Sequence, residues 1–166
     1  MTATNPADPT GEIPRLDSLP VRHLCDLHVE LEPARVIGTP AGTRLSFIAK
    51  GGRVNGPDLK GEVLPGGGDW LRVGNDRVGQ VDVRVTLRTE DGVLIHFESG
   101  GVVSVPDDGL LRLSAGEAIP FEETYIRTTP RFETSDERYS WLGRIVTIGY
   151  NAIAPDHVDY RIYQVL

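Results

Sequence analysis

Residues 81 to 88 alternate strictly between apolar and polar side chains, and this pattern constrains the fold more than any other feature of the sequence. One parity holds Val81, Val83, Val85 and Leu87, and the other holds Asp82, Arg84, Thr86 and Arg88. Successive side chains of a β-strand point to opposite faces, so the segment is predicted to be a strand with one apolar face. The hairpin signal Asp91-Gly92 follows, which predicts an antiparallel return strand from Val93 to about Val105.

Period-two alternation recurs along most of the chain. Strands are predicted over 21–31, 43–49, 60–64, 70–73, 121–131, 144–151 and 157–165, with a loop over 33–42. Two short helical segments are predicted, one over 107–116 and one turn after Thr134 or Ser135. About eight or nine strands at this spacing, with one or two short helices, indicate an all-β antiparallel barrel or sandwich.

Length and composition limit the classes of protein that the chain can belong to. Its 166 residues predict one domain over 21–166, preceded by a flexible tail over 1–20 that is rich in Pro, Thr and acidic residues. The net charge of -7 argues against a nucleic-acid partner, and no apolar run is long enough to span a membrane. The single cysteine, Cys25, excludes an internal disulfide and is expected to be a small buried hydrophobe, which fits a cytoplasmic location.

The stretch from Gly51 to Trp70 holds seven glycines in twenty residues, yet charged, apolar and aromatic residues separate them. Glycine is used where the backbone needs a positive φ or a close approach by another group, so tight turns around one short strand are predicted. The stretch lacks the Lys-Ser/Thr pair of a P-loop and does not open a long helix. It is therefore not interpreted as a phosphate site.

Five segments of the sequence carry a resemblance to a known family. They are GGRVNGPDLKGEVLPGGGDW, VDVRVTLRTEDGVLIHFESGG, YIRTTPRFET, RYSWLGRIVTIG and DYRIYQVL, in that order. Together they resemble the DUF3237 family, also called UPF0311, over about Leu24 to Leu166. The resemblance implies a calycin-like closed antiparallel β-barrel, which agrees with the strand pattern. It implies no particular activity.

Four residues are candidate catalytic groups: Asp69, Asp82, Arg84 and Arg127. One face of each strand lines the interior of such a barrel, which is either packed solid or holds one small ligand. A carboxyl group desolvated beside the indole of Trp70 would have a raised pKa and could transfer a proton, while the arginines would stabilise an enolate or a carboxylate. The structural alternatives are an Asx-turn at Asp69 and an exposed ion pair between Asp82 and Arg84. The sequence leaves open whether the Asp82 parity faces solvent or a cavity.

Five further residues are candidate substrate-binding groups: Trp70, Tyr125, His96, Glu133 and Trp141. Tyr125 could polarise a carbonyl group, or it could be a core tyrosine. Glu133 could be a second carboxylate or a partner for Arg131, and Trp141 is expected in the core or the cavity wall. His96 is predicted to lie opposite the Asp82 strand.

No metal and no cofactor are predicted. The four histidines, His23, His28, His96 and His157, lie on separate predicted strands without the short ligand spacing of zinc sites. A metal site assembled from distant strands stays open, although such a site would normally show paired histidines. No serine lies in a nucleophile elbow.

These residues predict a cofactor-independent acid/base enzyme of the isomerase, cyclase, lyase or hydratase type. The expected partner is a small, partly apolar carbonyl compound bound in a barrel cavity. One alternative is a non-catalytic barrel that carries a small hydrophobic ligand. The other is a structural or interaction module, with a possible homodimer that packs through the Val81 face.

Overall fold

The computed structural model describes residues 16–166 and is built from ten strands and one short α-helix. The strands are β1 Val21–Leu31, β2 Arg35–Thr39, β3 Gly42–Asn55, β4 Gly61–Val63, β5 Gly68–Gly74, β6 Gly79–Thr89, β7 Leu94–Ser104, β8 Tyr125–Glu133, β9 Thr147–Ile153 and β10 His157–Val165. The helix, α1, covers Gly109–Ser114, and two 3-10 turns cover Phe121–Glu123 and Ser140–Arg144. The described residues contain no helix with the length and apolar character needed to cross a membrane.

The sheet closes on itself to form an eight-strand antiparallel barrel. Neighbours in the ring are β1, β10, β9, β8, β7 and β6, and β3 completes it by pairing with β1. The short strands β4 and β5 share one position in the ring, because both lie between β3 and β6. Strand β2 stands outside the ring and pairs with the end of β3. Each position in the ring has a paired neighbour on both sides, so no strand of the barrel is left as a free edge strand.

The predicted fold class is confirmed, and the strand boundaries are confirmed most closely at β1, β6, β7 and β10. The predicted loop over 33–42 is wrong in part, because five of its residues form β2, whose side chains are all exposed. The segment before β8 is also shifted: Phe121–Glu123 forms a 3-10 turn, and the strand starts at Tyr125. The predicted tail falls mainly on residues 1–15, which lie outside the described residues.

The apolar parity of β6 points into the barrel, which settles the question that the sequence left open. Val83, Val85 and Leu87 are buried, whereas Arg84 and Arg88 on the other parity are exposed. The Val81 face therefore lies inside the barrel and is not a surface through which a dimer could pack, and the possible homodimer itself stays a prediction. Cys25 is also buried, as predicted, and burial raises the pKa of its thiol to about 12.

The barrel interior is solid at one end and open at the other. The solid end is a cluster of fully buried side chains that includes Leu24, Leu87, Ile95, Phe97 and Phe132. Phe97 packs edge-on against Phe132, with ring centroids 5.2 Å apart. The open end is a cavity, and Val83 and Val85 belong to both regions. The two interiors that the sequence left as alternatives therefore coexist in one barrel.

The seam between β1 and β3 requires a glycine. Gly52 is paired with Val29 on one side and with Val63 on the other. Its φ is 154°, and a Cβ at this position would lie 2.0 Å from the carbonyl oxygen of His28. A side chain here would push β1 away from β3, so the glycine permits the barrel to close.

We expect Gly52→Ala to lower the free energy of unfolding by about 2 kcal/mol or more, because it adds backbone strain and a steric clash at the seam. Urea denaturation followed by circular dichroism measures this change. The matched control is Gly38→Ala in β2, where a Cβ would meet no atom within 4 Å. We expect a change of about 0.5 kcal/mol or less for the control. Equal effects of the two substitutions would contradict this account of the seam.

Candidate functional site

The open end of the barrel holds a cavity of about 590 Å³ with a mainly apolar wall. Its mouth is bordered by three segments that come from outside the barrel wall or from its turns. Ala34 and Val36 border it on one side, Leu110 and Leu113 of α1 on another, and Pro155 on the third. Leu110 and Val36 are exposed in spite of their size, so the mouth carries apolar side chains that a ligand would cover.

Asp69 is the one carboxylate that lines this cavity within the described part of the chain. It lies on β5 in register with Phe47 of β3 and Val83 of β6. Directly paired residues of antiparallel strands point to the same face, so two apolar side chains flank the carboxyl group inside the barrel. Across the described lining there is no lysine or arginine that could neutralise its charge.

An interruption of the sheet holds the Asp69 side chain in place. Strands β5 and β6 are paired at Asp69 with Val83 and again at Arg72 with Gln80, and the ladder opens between these points. In that opening the backbone N–H of Asp82 donates to Asp69 Oδ1 at 3.0 Å. The Asp69 carboxylate thus accepts a hydrogen bond that a backbone carbonyl would accept in an unbroken ladder. This bond from the barrel wall fixes the orientation of the carboxyl group.

Burial raises the pKa of Asp69 to about 6 from an ordinary value of 3.8. Desolvation is the largest cause. The hydrogen bond from the Asp82 N–H lowers the pKa in part, and the negative charge of the Asp82 side chain raises it further. A carboxyl group with this pKa is present in both its acid and its base form near neutral pH, which suits proton transfer.

The wall opposite Asp69 carries three polar side chains. They are Thr128 on β8, Asn151 on β9 and Tyr160 on β10. In the eight-strand ring, the position of β9 is diametrically opposite that of β4 and β5. A ligand in the cavity would therefore lie between the carboxyl group and these donors.

A hydrogen bond orders this polar wall. The Thr128 hydroxyl donates to Asn151 Oδ1 at 3.0 Å in a buried setting. Because the amide oxygen is used in this way, the Asn151 NH2 group is directed to other acceptors, such as a ligand oxygen. Tyr160 is in register with Asn151, packs edge-on against Phe97 at 6.0 Å between ring centroids, and forms the cavity floor. Burial and the charge of Asp69 raise the pKa of Tyr160, so its hydroxyl stays protonated as a donor.

The structure does not bring the four predicted catalytic residues into one cavity, so that expectation is wrong. Asp82 and Arg84 lie on the outer parity of β6, where they form an ion pair at 3.0 Å with side chains that are 48% and 54% exposed. An exposed pair of this kind contributes about 0–1 kcal/mol. Asp82 contributes to the site through its backbone N–H and its charge, and Asp69 alone of the four lines the cavity.

Arg127 and Tyr125 also lie on the outside of the barrel. The Arg127 guanidinium stacks on the ring of Tyr150 at 4.0 Å and on Tyr125 at 4.9 Å, and it donates to the carbonyl oxygen of Ile126. These contacts fix the arginine on the outer face of β8. The predicted roles of both residues at the cavity have no geometric basis.

The other predicted substrate-binding residues lie away from the cavity. Trp70 follows Asp69 on the same strand, so it points outward, and 38% of its surface is exposed. The predicted indole wall beside the carboxyl group is therefore wrong. His96 and Glu133 are paired on the outer face of β7 and β8, and both are exposed. Trp141 packs against the solid end of the core.

Sequence reasoning missed Thr128, Asn151 and Tyr160. A signal for them was present, because each is a polar residue on the parity of its strand that points into the barrel. Asn151 shares a parity with the buried Thr147, and Tyr160 shares one with the buried Ile162. A buried polar residue is more informative than an exposed one, since burial has a cost unless a partner is present.

Residues 19–165 match the family described as a protein of unknown function, DUF3237. The chain belongs to this family. A UPF0311 protein of Rhodopseudomonas palustris (strain TIE-1) is 33% identical over 137 residues, which are 82% of this chain and 88% of the relative. The crystal structure of a conserved protein of unknown function from Rhodopseudomonas palustris superposes with a TM-score of 0.85 at 28% identity, covering 91% of this chain and all of the other.

A more distant member of the same fold comes from a fungus. The crystal structure described as an enzyme from Penicillium herquei has a TM-score of 0.67 at 20% identity and covers 92% of this chain and 98% of its own. At this identity the likeness shows the barrel fold alone. The resemblance of the sequence to DUF3237 is thus confirmed, and the family description leaves its activity open.

The raised pKa of Asp69 predicts how stability depends on pH. In the unfolded chain the carboxyl group ionises near its ordinary value of 3.8, and in the folded barrel near 6. Below about pH 3 the carboxyl group is mostly protonated in both states. As the pH rises from about 4 to 6, the unfolded state loses its proton first, so the free energy of unfolding falls.

We expect Asp69→Asn to remove this fall, so that its stability relative to the wild type is about 3 kcal/mol greater at pH 8 than at pH 3. Chemical denaturation at several pH values measures the difference. Glu133→Gln is the control, because this carboxylate is exposed on the outer face of β8 and lies away from the cavity. A wild type that gains stability relative to Asp69→Asn over this range would refute the assignment.

Proposed function

We propose that the protein is an acid/base enzyme that acts on a small, neutral, partly apolar carbonyl compound held in the barrel cavity. The observation that carries this proposal is the position of Asp69, a carboxyl group with a pKa near 6 inside an apolar cavity. A perturbed titratable group in a concave, mainly apolar pocket is the usual mark of a catalytic site. Proton transfer at carbon needs such a group and no redox group.

The proposed step is transfer of a proton next to the carbonyl group. The Asp69 carboxylate accepts the proton of a C–H bond adjacent to the carbonyl, and the electron pair of that bond moves to the carbonyl oxygen. Tyr160 and Asn151, on the opposite wall, donate hydrogen bonds to the resulting enolate oxygen. The protonated Asp69 then returns the proton to a different atom of the same molecule. Isomerisation uses this sequence directly, and in a cyclisation the proton goes to the atom left negative when the ring closes. In an elimination Asp69 gives the proton to the departing group, and a hydration is the reverse step, with water as the added molecule.

The cavity defines the substrate class by size and by charge. A volume of about 590 Å³ lies within the range of pockets that hold drug-sized molecules. The described lining offers valine, leucine, phenylalanine and proline side chains for an apolar ring or chain, and neutral donors for one oxygen. An anionic substrate is disfavoured, because the cavity supplies a carboxylate and no arginine. This replaces the sequence-based expectation that Arg84 and Arg127 would bind an enolate or a carboxylate.

A second candidate function is transport or storage of a small hydrophobic ligand without chemistry. The mainly apolar lining and the exposed leucine and valine side chains at the mouth favour it. The two functions differ in what they require of Asp69. A carrier gains nothing from an uncompensated carboxyl group in its cavity, whereas proton transfer depends on it. The Penicillium herquei protein, described as an enzyme, adds support for catalysis on this fold.

The test is exchange of carbon-bound protons for deuterium. Neutral cyclic and aromatic ketones are incubated with the protein in D2O, and loss of the proton signal next to the carbonyl is followed by NMR. We expect exchange with the wild type at a rate that rises as Asp69 ionises, with an apparent pKa near 6. Asp69→Asn should reduce the rate by about 100-fold or more, and Tyr160→Phe by a smaller factor.

Glu133→Gln serves as the control, since this carboxylate is exposed on the outer face of β8, away from the cavity. Its exchange rate should stay within about twofold of the wild type. Ketones that bind without exchange would favour the carrier. Full exchange by Asp69→Asn would show that this carboxyl group is not the base.

A further inference from the structure

Two histidines and an aspartate from β1 and β10 meet on the outer face of the barrel, beside the cavity that His157 also lines. His28 Nδ1 lies 2.6 Å from Asp159 Oδ1, and His157 Nε2 lies 3.5 Å from Asp159 Oδ2. One ligand atom from each of the three residues lies within 4.8 Å of the other two. The imidazole rings of His28 and His157 are 4.8 Å apart between centroids. In the sequence the histidines are far apart, so no ligand spacing could show this cluster.

We propose that His28, His157 and Asp159 form a binding site for a divalent transition-metal ion, with Zn²⁺ as the best match. Two imidazoles and one carboxylate are the donor set of many zinc sites that keep one position for water. Ligand atoms at about 2.1 Å from Zn²⁺ in tetrahedral geometry are about 3.4 Å from one another. Small rotations of the two partly exposed histidines and of the exposed Asp159 side chain would bring the observed separations to this value.

A second observation supports the site independently of the cluster. His157 Nδ1 lies 2.7 Å from Asp156 Oδ1, so a proton on Nδ1 is held by that carboxylate. This contact fixes the tautomer and leaves the lone pair of Nε2 directed towards Asp159. Metal-binding histidines commonly have their other ring nitrogen held by a carboxylate in this way. Asp156 is therefore a positioning residue for the proposed site, and the ion does not contact it.

The backbone register explains why the three side chains converge. His28 is paired with Asp159 across the β1–β10 ladder, and His157 lies two residues before Asp159 on the same face of β10. Glu30, opposite His157, adds negative charge beside the site, and Arg53, opposite His28 on β3, adds positive charge. The two charges offset each other, so the affinity depends on the three donors themselves.

The alternative is a set of ordinary ion pairs and hydrogen bonds. His28 donating to Asp159, and His157 donating to Asp156, would account for the same distances without any ion. The two explanations differ in one measurable property. The property is the stoichiometric binding of Zn²⁺. A metal site binds one equivalent through a defined nitrogen of each ring, whereas a network of ion pairs and hydrogen bonds alone does not.

The experiment titrates the full-length protein with ZnCl2 by calorimetry and with CoCl2 by visible absorbance. We expect one equivalent to bind, with Co²⁺ absorption typical of a four- or five-coordinate site. His28→Gln, His157→Gln and Asp159→Asn should each weaken binding by more than about 100-fold. Asp156→Asn should weaken it by about 10-fold, the usual effect of losing a carboxylate behind a histidine ligand. His96→Gln, which removes an exposed histidine elsewhere on the barrel, should leave binding unchanged.

A spectroscopic readout separates binding from loss of structure. Long-range ¹H–¹⁵N spectra should show that Zn²⁺ shifts Nδ1 of His28 and Nε2 of His157, while the rings of His23 and His96 stay unchanged. Circular dichroism confirms that each variant is folded. Absence of Zn²⁺ binding by the wild type would overturn the proposal. Binding that survives both histidine substitutions in a folded double variant would also overturn it.

Discussion

The carboxyl group of Asp69 is held inside an apolar cavity with one backbone N–H as its partner and no lysine or arginine among the described lining residues. This one uncompensated group sets the chemistry that the cavity can support. Desolvation raises the pKa of the carboxyl group, so it stays protonated to an unusually high pH. The single hydrogen bond from the Asp82 N–H fixes the orientation of the side chain. Replacing the polar neighbours by arginine would return its pKa to the ordinary range and remove the acid form at neutral pH.

The barrel supplies what this carboxyl group needs. A solid apolar end anchored by Phe97 and Phe132 holds the ring rigid, and Tyr160 closes that end off as the cavity floor. The open end is bordered by α1 and the turns, which leave a path for a ligand. Pairing of β1 with β3 closes the barrel, and closure is needed for the cavity, because an open, flattened sheet would expose Asp69 to water. Gly52 is therefore important to the site although it lies away from it.

The sequence predicted the architecture better than the site. Strict alternation located β1, β6, β7 and β10, since the period of a strand is a property of the backbone itself. Alternation cannot say which parity is inside, so Asp82 and Arg84 were equally consistent with a cavity and with the surface. Their neighbours Val83 and Val85 decide it in the structure, because these pack against the core.

The site was harder to predict because it is assembled across the ring. Asp69 was chosen for its place after the glycines, and it does line the cavity, but the indole expected beside it points outward. Its desolvation comes instead from the apolar cavity wall, including Phe47 and Val83 on two other strands. Asn151 faces it from a strand that is distant in sequence, and His28 meets His157 on the outer face in the same way. Such pairings depend on strand order and register, which local sequence patterns do not contain.

A ¹³C NMR titration of the Asp69 carboxyl carbon in the ligand-free protein, with Asp69→Asn used for assignment, shows directly whether the cavity keeps this group protonated to an unusually high pH. We expect a midpoint near pH 6, and a further rise when an uncharged apolar ligand displaces water from the cavity. A midpoint near the ordinary value of 3.8 would mean that the carboxylate is solvated or neutralised, and would contradict the proposed proton transfer.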